Sequence, residues 1–340
     1  MASMEKTKPL YARSLLVPSV QGLAKDPNFT IPSRYIRTDQ DQPLLSDNDH
    51  ALCFPHQIPV IDFQKLLADE SNGSDSELEK FHLACKDWGF FQLVNHGVSS
   101  SFLEKAKTEF QNIFKLPFEE KKKLWQTPEE LEGFGQIFVV SEEQKLDWSD
   151  LFMLTTLPIH ARKPLLFTKL SSTSRETLET YSMELQGLEL SIMSQIEKAL
   201  KLKDKEEKVI GLNPHSNVGG LTILLQVNGI EGLQVKKTGE WVTVKPLPNA
   251  FIVNIGDVLE MVTNCEYRSI EHRAIINSQK ERVSFATFNN PRFGVEISPA
   301  RSLITKQSPA KYKTMGFEKF LRGYFARELD SKSCVDSMKL

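Results

Sequence analysis

Asn213-Pro214-His215-Ser216-Asn217-Val218-Gly219-Gly220-Leu221-Thr222-Ile223-Leu224-Leu225-Gln226 sets a His-x-Asn triplet at the mouth of an apolar run. Strand side chains alternate with period two, so an extended backbone turns His215 and Asn217 to one face, where both can hold the same ligand. A second histidine, His272, stands 57 positions after His215 inside Tyr267-Arg268-Ser269-Ile270-Glu271-His272-Arg273. Arg282-Val283-Ser284 begins ten residues further on. Two imidazoles and a side-chain oxygen make most of a metal site. On spacing alone, a reading of both histidines as ordinary polar residues at strand ends stands level with it.

Arg282 and Ser284 shift that balance. They alternate onto one face and offer a guanidinium fork with a hydroxyl beside it, which suits a carboxylate. Their neighbours Val283, Phe285 and Phe288 mark a buried strand rather than an exposed edge, and a buried guanidinium needs an anion. A diacid that chelates a metal at one end and meets the arginine at the other satisfies both demands, as 2-oxoglutarate would. Two histidines and one carboxylate on one face of a metal mark a non-haem Fe(II) oxygenase. Here the carboxylate position holds Asn217, whose amide oxygen is neutral.

The whole chain sets bounds on this. Its 340 residues can bury a substantial core without staples. A net charge of -2, with 40% hydrophobic and 25% charged residues, leaves no electrostatic footprint for nucleic acid or an anionic membrane surface. Cys53, Cys85, Cys265 and Cys334 form no CxxC pair and fit reduced thiols in the cytoplasm. No apolar run is long enough for a spanning helix, and no heptad or basic stripe argues against a monomer.

Along the chain, proline punctuates an arm over 1–57. A mixed α/β region follows over 58–165, opening on a strand at Ile58–Asp62. Within it Leu78, Phe81, Cys85 and Trp88 predict a helix capped at Gly89. A strand is expected from Phe90 and a second helix over Leu103–Ile113. A long helix is expected over 166–203, with Thr173 and Glu176 as a capping box and Met183 and Met193 as core filler. From 204 to 292 short β-rich runs alternate with turns, including Val258–Val262 and Tyr267–Ile276, which predicts a double-sheet jelly roll. A helical tail closes the chain over 293–340, with Tyr312, Phe317, Phe320 and Leu321 as its docking stripe. The fold class is α+β.

Five stretches together carry a resemblance: Ile58-Pro59-Val60-Ile61-Asp62, Trp88 to Gly97, Gly133-Phe134-Gly135-Gln136, Gly219 to Gln226, and Tyr267 to Arg273. The chain resembles plant Fe(II)/2-oxoglutarate-dependent dioxygenases of the senescence-related and codeine O-demethylase-like branch. That resemblance implies a jelly-roll oxygenase domain behind an N-terminal dioxygenase region, and oxidation of a small aromatic plant metabolite by hydroxylation or O-demethylation. It implies His215, Asn217 and His272 as the metal set for Fe(II), and Arg282 with Ser284 on 2-oxoglutarate. O2 is the other reactant, and ascorbate is a candidate accessory.

The chain departs from the family pattern twice. Asn217 replaces the metal aspartate, and the Asn-Tyr-Tyr-Pro-Pro-Cys strand expected before the triplet, near 203–208, is missing. These departures motivate a rival reading, a degenerate or truncated member that acts as a binding protein. A cupin-type binding module is a third, which predicts no arginine inside the barrel.

Overall fold

The computed structural model describes residues 14–26, 28–36, 57–68, 74–127, 131–202, 212–213, 219–277, 279–325 and 333–340. Short helix α1 (Val20–Leu23) lies in the arm, its N-terminus held by Asp150, which accepts from the Val20 and Gln21 amides. Then come β1 (Val60–Asp62), α2 (Phe63–Leu66) and α3 (Ser74–Leu83), which runs into a π-helical turn at Ala84–Trp88. β2 (Phe90–Val94), α4 (Ser100–Lys115), α5 (Phe118–Lys122), β3 (Gly133–Gly135), β4 (Leu151–Met153), α6 (Pro164–Lys169) and α7 (Ser172–Ala199) follow.

The second half holds β5 (Leu212–Asn213), β6 (Leu221–Gln226), β7 (Leu233–Lys237), β8 (Glu240–Thr243) and β9 (Phe251–Ile255). It continues with α8 (Asp257–Val262), β10 (His272–Ala274), β11 (Ser284–Pro291), β12 (Glu296–Ile297) and β13 (Met315–Gly316). Helices α9 (Phe317–Phe325) and α10 (Ser333–Asp336) end it.

Among the described residues the main sheet runs β1-β2-β9-β6-β11-β5, and a smaller one runs β10-β7-β8. Period two decides what each face of the main sheet does. Leu221, Ile223 and Leu225 of β6 pack with Phe91, Phe251 and Val253 against buried residues of α3, α4 and α7, such as Phe81, Phe110, Leu178 and Tyr181. The opposite phase, Phe90, Leu224 and Ile252, meets Leu233 and Val235 of the smaller sheet. A third cluster docks α9 against α8 through Phe317, Phe320, Leu321, Val258 and Met261.

Gly89 sits at φ +59°, and a Cβ there would lie 2.1 Å from the Arg268 carbonyl oxygen. Gly89→Ala should therefore cost more than about 1 kcal/mol, since alanine at positive φ is strained even where space allows it. Urea unfolding checks this, and an unchanged midpoint would contradict it.

Five expectations are corrected. Val258–Val262 is helical: a five-residue, mostly apolar run does not separate strand from buried helix, and here Gly256 opens it with Asp257 in the first turn. The long helix is capped by Ser171, whose side chain accepts from the Ser174 amide, rather than by Thr173. Met183 is 58% exposed because it lies off the Tyr181–Leu185–Leu188–Ile192 stripe, whereas Met193 is buried. Within Tyr267–Ile276 only His272–Ala274 is strand. In the tail, the helix starts at Phe317; Tyr312 precedes it, packs in the same cluster as Phe317, Phe320 and Leu321, and donates to the Glu260 carboxylate at 2.7 Å.

On the buried stripe of α7 lies Glu189, 3% exposed, its carboxyl pushed up to about 8 by burial. A group whose pKa is raised on folding stabilises fully below its unfolded value, here about 4.5, and loses that contribution as pH rises through the folded value. Stability should therefore fall between about pH 4.5 and about pH 8. Glu189→Gln should flatten that slope in denaturant titrations across the range; an identical slope in the variant would contradict it.

Candidate active site

β10 pairs with β7 so that His272 lies opposite Val235, on the phase that faces the main sheet. The His272 ring meets Phe90 edge-on at 5.1 Å between centroids, and its Nδ1 lies 3.1 Å from the Ile270 carbonyl oxygen. Burial pushes the imidazole below its ordinary pKa, with the Ile270 hydrogen bond opposing in part. A neutral ring that donates from Nδ1 to a carbonyl keeps its lone pair on Nε2, the state in which histidines ligate metals.

Arg282 enters the same space from the start of β11. Its Nη2 donates to Gln226 Oε1 at 2.8 Å and its Nη1 to Ser284 Oγ at 3.3 Å. Ser284 is the register partner of Gln226 across β6 and β11, so all three side chains share the inner phase. The Gln226 amide is oriented by donation from Nε2 to the carbonyls of Asn228 and Ile230, which leaves Oε1 to accept from the arginine. Gly232 makes room: a Cβ there would lie 2.9 Å from Arg282 Cδ and 2.9 Å from the Ile275 carbonyl oxygen.

The guanidinium is thus held by neutral groups alone among the described residues. Its Nε is buried without a hydrogen-bond partner, and burial lowers its pKa with no carboxylate opposing. A buried cation so arranged suits a carboxylate ligand, which would meet both the charge and the orphaned N–H. The 2-oxoglutarate end of the expected site therefore fits the residues present. Val235, opposite His272, and Gly232, against Arg282, are three residues apart, about 10 Å of extended chain. That is a span on the scale of a small diacid and a metal.

His215 and Asn217 lie outside the described residues, so the structure brings together His272, Arg282 and Ser284 of the five expected side chains. Among the described residues no group of three His, Cys, Asp or Glu could hold a metal ion. Phe134 is buried against Phe152 and Phe114, and Phe138 stacks on Phe325 in the α9 cluster. Gln226 and Gly232 were not anticipated. The available signal for Gln226 was a polar residue on the inner phase of a strand whose other residues, Thr222 apart, are apolar.

Comparisons with known proteins agree with this geometry. Residues 58–171 match the non-haem dioxygenase in morphine synthesis N-terminal family, and residues 191–291 match the 2OG-Fe(II) oxygenase superfamily. Protein SRG1 of Arabidopsis thaliana is 49% identical, over 96% of this chain and 97% of its own length. Oxoglutarate-dependent flavonoid 7-O-demethylase 1 of Ocimum basilicum is 46% identical, over 96% and 92%. The crystal structure of JOX2 with 2OG, Fe and JA superposes with a TM-score of 0.83 at 34% identity, covering 97% of this chain and 99% of that one. Nothing in these comparisons favours a non-catalytic binding role. No helix among the described residues is long and apolar enough to cross a membrane. The chain is an oxidoreductase of the plant Fe(II)- and 2-oxoglutarate-dependent dioxygenase family, built on the jelly-roll fold of those enzymes and using O2 on a small-molecule substrate.

Proposed function

We propose that the chain hydroxylates or O-demethylates a small aromatic plant metabolite, with His215, Asn217 and His272 holding Fe(II) and Arg282 with Ser284 gripping the far carboxylate of 2-oxoglutarate. The observation that carries this is Arg282: a guanidinium between the sheets, beside a hydroxyl, with one buried N–H and no anion among the described residues. Fe(II) and 2-oxoglutarate held there would supply the oxidising chemistry from O2, with succinate and CO2 as the co-products. The protein's own part is to keep His272 neutral, to orient the diacid through Arg282, Ser284 and the fixed Gln226 amide, and to keep water away behind Phe90 and Leu224. The flavonoid demethylase among the relatives supports an aromatic ether as substrate.

The same reading takes 1–57 as an arm, 58–165 as the N-terminal dioxygenase region, 166–203 as the packing helix, 204–292 as the oxygenase domain and 293–340 as the tail. It places the protein in the cytoplasm as a monomer, with ascorbate as an accessory reductant. The test is succinate release in air from the purified chain with Fe(II), 2-oxoglutarate and ascorbate, against methoxylated and free flavonoids. Substrate-dependent succinate is expected, with equimolar formaldehyde from methoxy compounds. Succinate no higher with any aromatic than without one would refute the aromatic substrate class.

A further inference from the structure

Glu260 is buried on α8, and each oxygen of its carboxylate accepts a hydrogen bond. Oε2 takes the Ser269 amide at 2.8 Å and Oε1 the Tyr312 hydroxyl at 2.7 Å. Ser269 stands three residues before His272. Carboxylate and amide are nine positions apart in the chain, which must turn back past α8 to join them. It turns at Asn264 and Cys265, both at positive φ. The Cys265 amide donates to the Glu260 carbonyl at 2.9 Å and the Tyr267 amide to Thr263 Oγ1 at 3.2 Å.

From that turn to the imidazole the backbone is pinned at both ends. The Arg268 carbonyl and the Ser269 amide belong to one planar peptide unit. Its oxygen lies against Gly89, where a Cβ would come within 2.1 Å, and its N–H goes to Glu260. Farther on, the Glu271 carbonyl accepts from the Lys236 amide of β7 at 2.8 Å. Between these fixed units lies the Ile270 carbonyl, the acceptor for His272 Nδ1. That bond decides which ring nitrogen carries the proton. The direction of the Ile270 carbonyl, and with it the ring, therefore depends on where Glu260 holds the Ser269 peptide.

A plainer role for Glu260 is to fasten the tail to α8 through Tyr312. The tail has other fastenings. The Asn264 side chain accepts from the Lys311 amide at 2.8 Å and donates to the Pro309 carbonyl at 3.0 Å. The Lys313 amide donates to the Met338 carbonyl at 2.8 Å, and Val335 and Met338 pack with Val258 and Met261. A buried carboxylate is also a weak source of net stability, because desolvation offsets its hydrogen bonds. Its contact with the loop that leads to His272 is the feature a tail anchor does not require.

We propose that Glu260 is a positioning residue for His272: it holds the Ser269 peptide so that the Ile270 carbonyl accepts from Nδ1 and Nε2 keeps its lone pair for a metal. Tyr312 serves by fixing the second carboxylate oxygen. The consequence for metal binding rests on the proposed role of His272 as an Fe(II) ligand.

The test starts from the metal-free full chain with isotope-labelled histidine read by nitrogen NMR, the His272 ring signals being assigned by their loss in His272→Gln. The parent should show one tautomer, protonated on Nδ1. Glu260→Asp keeps the charge but is one methylene too short to reach both Ser269 and Tyr312, so that tautomer should lose its dominance. Glu260→Gln keeps the reach, with Oε1 for the Ser269 amide and an NH2 group that can donate to the Tyr312 hydroxyl, and should behave as the parent. Anaerobic Fe(II) titration against a chelator should follow the ring, with affinity at least about tenfold weaker in Glu260→Asp and near the parent value in Glu260→Gln. Val335→Ala, which loosens the tail cluster and alters no hydrogen bond of Glu260, should lower the Tm and leave the ring signals unchanged. Ring signals and Fe(II) affinity unaltered in Glu260→Asp, or altered as much by Glu260→Gln or Val335→Ala, would overturn the proposal. If the ring follows Glu260 as expected but the parent itself binds no Fe(II), the positioning stands and the metal reading of His272 fails.

Discussion

Replacing Arg282 with methionine should weaken 2-oxoglutarate binding by at least about 100-fold while leaving the ligand-free protein as stable as before, or more so. The first effect follows because hydrogen bonds to a charged group are worth about 1.5–3 kcal/mol each, and a fork makes two. The second follows because Arg282 is buried among neutral partners with its Nε unsatisfied. An apolar side chain of similar length removes a desolvated charge that nothing neutralises. Calorimetric titration gives the affinity and a thermal melt gives the stability. A variant that binds 2-oxoglutarate as the parent does would refute the role of Arg282. A variant that melts well below the parent would show that the arginine is a structural group rather than a ligand receptor.

The second large effect concerns Asn217. An amide oxygen is a neutral, weaker donor to Fe(II) than a carboxylate, which also offsets the cation's charge. Loss of groups that merely orient metal ligands already costs about 10–100-fold in metal affinity or activity. Asn217→Asp should therefore tighten Fe(II) binding by at least about 10-fold and raise succinate formation in proportion. Anaerobic Fe(II) titration with a competing chelator measures the first. Equal affinity in the two proteins would remove Asn217 from the metal set.

Much of the fold was legible because helices and strands announce themselves by period. The Leu78–Phe81–Cys85 stripe is the core-facing side of α3 and the π-helical turn that continues it, the Leu178–Tyr181–Leu185 stripe is that of α7, and Gly89 takes the left-handed φ that its place after Trp88 predicts. Alternation also placed Arg282 and Ser284 together, and the structure joins them directly. What period cannot resolve is a short run buried on every side. In α8 Asp257 through Met261 are all buried, the acidic Asp257 and Glu260 included, so polarity there marks no exposed face.

Partners that belong to the third dimension were equally hidden. Gln226 matters because register sets it opposite Ser284, and Gly232 matters because the Arg282 stem crosses it. Neither pairing leaves a trace in local sequence. The buried Glu189 is a further case, since a helix stripe predicts its position but not the absence of a partner for its Oε1.

We propose the space between the two sheets as a 2-oxoglutarate site completed by Fe(II). Anaerobic calorimetric titration of 2-oxoglutarate into the unmodified chain, with and without Fe(II), tests it most directly. One diacid per chain is expected, bound more tightly when Fe(II) is present because the metal holds one end while Arg282 holds the other. No binding in either condition, or binding indifferent to Fe(II), would contradict the account.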